Sequence, residues 1–315
     1  MAYSASGIIE ASDYNNLAWG GTETYRSSPN NIAYVIGVGN GDYGYGQSVS
    51  GLENVAASDT VTATKWTSLV NAVNLAINHQ GGTAVTPSPA IATGGEITYE
   101  SALATAVDTA TTNRLTAGSM GSTTTSSNNN LNKTFSGTAA NTTTITRTAT
   151  FASADQARYF FNAGGKFNIV WSVANAANTS REVSIRDTVN TELNGVNDFG
   201  YTSNGGRNGT GGTLVTNATT IGYYDLTTSN QTLVRVNSDN ATYTGDYAQI
   251  EVKSNGTQGS NGDTGTVITF EFTFYSGARG QTFDQAVNVD FTTRIDIQNP
   301  ETTYLTNSWG TITMG

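Results

Sequence analysis

The chain has 315 residues, enough to bury most of the surface that its unfolded form exposes and to build one large or two ordinary domains. Only 12% of them are charged, against roughly 25% in an ordinary soluble protein. The polar surface must therefore come from Thr, Ser, Asn and Gly, which favours strands and turns over solvent-facing helices. With 24 acidic and 14 basic residues the net charge is −10, and no Lys/Arg cluster reverses it locally, so nucleic-acid partners are not expected. Zero cysteines exclude disulfides and thiolate metal sites.

Residues 1–10 carry neither the basic nor the apolar region of a signal peptide, and no apolar run approaches the roughly 20 residues of a membrane span. No membrane insertion is expected. The first zone, residues 1–115, reads as a small α+β module. Its clearest helix runs from Thr64 to Asn78, with Trp66, Leu69, Val70, Val73 and Ile77 on one stripe and Gly81-Gly82 as the stop. Trp66 is the expected anchor of this module. A second helix follows Thr98, carries Leu103, Ala106 and Val107, and is expected to fray over Thr109 to Asn113. The run from Ile9 to Leu17 echoes that from Val61 to Leu69, each with a hydroxyl (Ser12, Thr64) placed as an N-cap before an aromatic.

Residues 116–145 are low in complexity, as in Ser122-Thr123-Thr124-Thr125-Ser126-Ser127-Asn128-Asn129-Asn130, with Lys133 the only charge. So little apolar area cannot offset chain entropy by itself, and a linker or a segment ordered by a neighbour is expected, mobile over Gly121 to Asn132 in the free protein. Residues 146–315 read as strands. Phe167, Ile169, Trp171 and Val173 alternate with polar residues, as do Ile268, Phe270, Phe272 and Phe274, then Val287, Val289, Phe291, Ile295 and Ile297. Turn clusters such as Asn204 to Gly209 and Ser260 to Asp263 separate them. One helix interrupts, with Ser153 and Gln156 as a capping box, Ala157, Phe160 and Phe161 inward, and Gly164-Gly165 at its end. The expected class is mainly β with a minor α+β part: an antiparallel β-sandwich preceded by a helix-containing module.

Several blocks carry a resemblance. Ala11-Ser12-Asp13-Tyr14-Asn15, Gly44-Tyr45-Gly46-Gln47, Trp66-Thr67-Ser68-Leu69 and His79-Gln80-Gly81 resemble a module of virion structural proteins from tailed phages of marine bacteria, especially cyanobacteria. Phe151 to Asp155, Ala157 to Gly165, Gly222-Tyr223-Tyr224-Asp225-Leu226 and Tyr243 to Tyr247 resemble the companion part of those proteins. The resemblance implies a virion component of the tail or its appendages, assembled in the host cytoplasm, with no catalytic residues or cofactor. Its implied partners are copies of itself and other virion proteins. A glycan-binding adhesin at the tail tip and a capsid-surface decoration protein are the alternatives, and a glycan-degrading tail enzyme is a further one.

The residues offer little chemistry. His79, the single histidine, falls at a helix C-terminus, where capping explains it, and no Gly-x-Ser-x-Gly elbow accompanies it. Asp187, Glu192, Asp198, Asp284, Asp290 and Asp296 are the carboxylates a glycosidase could pair; Asp290 and Asp296 flank Arg294, a ready ion-pair partner. Gly37 to Asp42 mimics a phosphate loop without its Gly-Lys-Ser/Thr, and Asp42 or Asp263 could serve a calcium turn. No metal site is expected. Tyr223, Tyr224, Tyr243 and Tyr247 are candidate exposed contact residues, since Tyr gives amphipathic area at low entropic cost and suits protein and sugar partners alike; a half-buried sheet face is the alternative reading of the same residues.

Overall fold

The two strongest alternating segments each become the middle of a sheet. The structure, a computed structural model, describes residues 11–19, 31–37, 39–57, 59–87, 90–93, 100–136, 138–174, 179–258, 264–279 and 286–315. One sheet holds β1 (Met120–Thr125), β10 (Val287–Pro300), β4 (Lys166–Val173) and β5 (Val196–Phe199) in that order, with β2 (Asn129–Phe135) also beside β10. The other runs β11 (Thr313–Met314), β3 (Asn141–Thr150), β9 (Val267–Ser276), β8 (Tyr247–Ser254), β7 (Gln231–Asn237) and β6 (Thr213–Asn217). All pairings are antiparallel. Aromatic pairs join the sheets: Phe167 meets Phe270 at 6.3 Å, Trp171 meets Phe272 at 5.6 Å and Phe291 meets Phe274 at 5.9 Å between ring centroids. This is the expected sandwich, and the predicted inward residues of β4, β9 and β10 are buried.

Residues 116–145 depart from the linker reading. They form β1, β2 and the start of β3. β1 and β2 lie end to end along one side of β10, and β3 pairs with β9 along its whole length. The physical reason is that main-chain hydrogen bonds to strands far along the sequence replace the apolar area this stretch lacks. The few apolar side chains it has, Phe135 and Ile145 among them, point into the core. Slow amide exchange is therefore expected where the linker reading expected mobility.

The helical zone contains α1 (Ala11–Ala18), α2 (Ile32–Ile36), α3 (Ala63–His79) and α4 (Glu100–Thr112). On α3 the expected stripe is buried, and the cap is Thr62, whose side chain accepts from the Lys65 N–H at 3.3 Å. Thr64 and Ser12 both sit inside their helices, so the shared N-cap of the sequence echo does not form; its first residues, Ile9 and Glu10, lie outside the described ones. Thr98 lies outside them too. α4 does not fray after Thr109. The hydroxyls of Thr105, Thr109, Thr111 and Thr112 each donate to the carbonyl four residues earlier, which satisfies them within the helix.

Two more helices lie in the sandwich zone. α5 (Ala154–Asn162) is the interrupting helix, capped by Ser153, whose Oγ accepts from the Gln156 N–H at 3.1 Å; the return bond from the Gln156 side chain that would complete the expected capping box does not form. α6 (Ser180–Asp187) runs straight into a π-helical turn over Thr188–Leu193. One hydrophobic core continues through both zones. The segment from Gly41 to Gln47 makes the junction: the Asn162 amide donates to the carbonyls of Gly41, Tyr43 and Gly44, and Arg158 donates to Tyr43. Gly46 must be glycine here, because its φ is +67° and a Cβ would stand 2.4 Å from the Tyr159 ring.

Candidate functional site

The tyrosines do not form the exposed contact surface that the sequence suggested. Tyr223 is fully buried, stacked on Phe161 at 4.4 Å, and Tyr243 is buried as well. Tyr224 is half-buried at the junction, donating its hydroxyl to Gly41 O at 2.7 Å and contacting Asn162 Oδ1; burial raises its pKa. Only Tyr247 remains on the outer sheet face, stacked on Tyr275 at 5.1 Å beneath the Arg235 guanidinium, 3.7 Å from the ring centre. The reason is arithmetic of faces. An aromatic-rich chain with a large core fills that core with its aromatics first.

His79 is a link between the two zones rather than a helix cap. It is buried, and its Nδ1 lies 3.0 Å from Glu301 Oε1. Burial lowers the histidine pKa against the opposing pull of Glu301, so the ring is neutral near pH 7 and its Nδ1–H donates to the carboxylate. Burial alone would raise Glu301, but hydrogen bonds from His79 and from the Tyr304 and Thr303 N–H groups outweigh it and hold the carboxyl below its ordinary value.

The candidate carboxylates scatter. Asp187 pairs with Arg186, Asp198 with Lys166, and Asp296 takes Arg294 in a two-pronged ion pair at 2.8 and 2.9 Å, while Asp290 accepts from Asn132. Asp284 lies outside the described residues. Glu192 differs. It sits on the π-helical turn, only 4% exposed, and its Oε1 accepts from the Asp239 N–H at 3.3 Å. Burial first, then the neighbouring Asp239 carboxyl, pushes its pKa up to about 7. Asp239, a partner 47 residues away, was not among the sequence candidates, and only folding brings it there.

A carboxyl held protonated towards neutral pH is one half of what glycan hydrolysis needs, but the geometry at Glu192 leaves no place for a sugar. Glu192 Oε2 faces the backbone of Gly212 so closely that a Cβ there would stand 2.8 Å from it. The pair instead predicts a pH response. The folded-state pKa lies above the ordinary 4.5, so its stabilisation is fully present below about pH 4.5 and is lost as pH rises through about 7. Glu192→Gln should match wild type near pH 4 and exceed it by about 3 kcal/mol near pH 8, read from urea unfolding curves. Equal pH slopes in the two proteins would reject the buried-acid assignment.

The glycine segment of residues 37–42 is not an anion cradle: the Gly41 carbonyl accepts from Asn162 and Tyr224, the Gly37 carbonyl accepts from the Gly46 N–H, and Asp42 pairs with Arg114. Val38 and Asp263 lie outside the described residues, and among the described ones no three metal-ligating side chains gather. No described helix is long and apolar enough to cross a membrane.

A cleft of about 340 Å³ opens at the seam between the sheets, where β1 and the end of β10 meet the segment leading to β11. Ser122, Thr124, Asn299, Asn307, Trp309 and Ile312 are among its walls. Sequence reasoning passed over it because its residues come from segments nearly 200 positions apart, and none of them forms a motif. Comparison with known proteins finds no family model, no curated protein and no solved structure that matches the chain.

Proposed function

We propose that the chain is a structural component of a tailed-phage particle, of the tail or its appendages, acting by pairing with copies of itself and with other virion proteins. One observation carries the assembly part of this reading: the outer edge of β3 is open. Thr148 exchanges main-chain hydrogen bonds with Gly315 on that side, at 3.1 and 2.9 Å, so by strand alternation Thr146, Thr144 and Thr142 also turn their N–H and C=O groups outward. These have no main-chain partner among the described residues, and their side chains are exposed. Asn141 to Thr146 contains no charge and no proline, the usual guards of an edge. An uncharged edge also lets two chains of net charge −10 approach with least repulsion.

A second β3, antiparallel about Thr144, would form about six main-chain hydrogen bonds and make one continuous sheet across the two-fold. Thr144→Pro tests this, because the lost N–H points away from β9 and the sandwich should keep its stability. Light scattering should give oligomers for wild type at micromolar concentration and monomer for the variant. A monomeric wild type that also fails to label purified particles would overturn the reading. The same reading assigns no chemistry to Glu192 and Asp239; new reducing ends from host polysaccharide, abolished by Glu192→Gln, would replace it with the enzyme alternative.

A further inference from the structure

We propose that the cleft between β1, β10 and the β11 segment binds a neutral saccharide. Its lining contains no charged side chain, so an ionic ligand would lose hydration without gaining a counter-charge. An aliphatic ligand fares no better, because it would strip water from the exposed hydroxyls of Ser122, Thr124, Thr302 and Thr311 and offer them nothing. A pyranose suits both halves of the lining. Its hydroxyls both donate and accept, matching the rim, and its C–H face matches the half-buried Ile312, with the buried Ile297 and Trp309 packed behind the floor.

The cleft is also held in shape before any ligand arrives. The Asn299 amide donates to Ser122 O at 2.8 Å and to Thr124 Oγ1 at 3.0 Å, fixing one wall. On the other, Asn307 Oδ1 accepts from the Gly310 N–H at 2.8 Å, and Gly310 sits at φ +69°, which closes a tight turn beside Trp309. Walls fixed in this way lower the ordering cost of binding. The volume falls at the small end of the roughly 300–1,000 Å³ of small-molecule sites, which suits a disaccharide better than a long chain.

The test is saturation-transfer NMR on the full chain with lactose, cellobiose and N,N′-diacetylchitobiose as probes and sialyllactose as the anionic control. At least one neutral disaccharide should bind in the millimolar range and the anionic sugar more weakly. Ser122→Tyr and Thr311→Tyr, both at exposed positions, fill the cleft from opposite walls and should each weaken binding about tenfold with the unfolding midpoint unchanged. No transfer to any neutral sugar, equal transfer to sialyllactose, or wild-type binding in both variants would overturn the proposal. Thr144→Pro should bind sugar as wild type does, so this site and the β3 edge stand or fall separately.

Discussion

Trp66→Ala is expected to cost about 3–5 kcal/mol of folding free energy, the range for emptying a buried large aromatic site. Trp66 is 1% exposed on the inner stripe of α3, and its ring meets Tyr14 of α1 edge-on at 5.8 Å. The void would separate α1 from α3, while the Tyr14 hydroxyl remains tied to Gly51 O at 2.9 Å. Because the helical zone shares its core and the His79–Glu301 contact with the sandwich, the loss should appear as one shifted transition by circular dichroism. A cost under about 1 kcal/mol would mean that the site collapses freely or that the Trp66 face is open to solvent.

Phe161→Ala should cost a similar 3–5 kcal/mol, from the other end of the core. The ring is fully buried on α5 and touches Phe160 at 5.0 Å, Phe167 of β4 at 5.5 Å, Phe199 of β5 at 6.2 Å and Tyr223 at 4.4 Å. It thus holds the helix, two strands and the Tyr223 turn at one point. Phe161→Leu, which keeps most of the volume, should recover more than half of the loss in chemical denaturation. If the Ala and Leu variants unfold alike, the aromatic cluster is not what locks α5 to the sheet.

What the sequence made legible, it did through periodicity. The α3 stripe, the alternation in β4, β9 and β10 and the Ser153 cap of α5 each depend on neighbours a few residues away, and each forms where the pattern put it. α6 and its π-helical turn gave no such signal, because SREVSIRD has no apolar stripe; it is held by the Thr179–Glu182 capping box and by contacts that folding supplies. Glu192 could be named from the sequence as one carboxylate among several, but its raised pKa required Asp239 and burial by strands distant along the chain.

The sequence by itself determined the architecture: low charge, abundant Thr and Asn, and alternating aromatics demand two sheets that hide one face each. Tertiary structure alone decided which of its surfaces remain available. The same Thr-rich run that cannot bury enough area to order itself becomes β1, β2 and β3 once β10 and β9 offer hydrogen bonds. Two of the tyrosines that read as contacts, Tyr223 and Tyr243, become core once segments distant along the chain cover them. Burial is a property of pairs of distant segments, so local pattern announces which face will be hidden but not what will hide it.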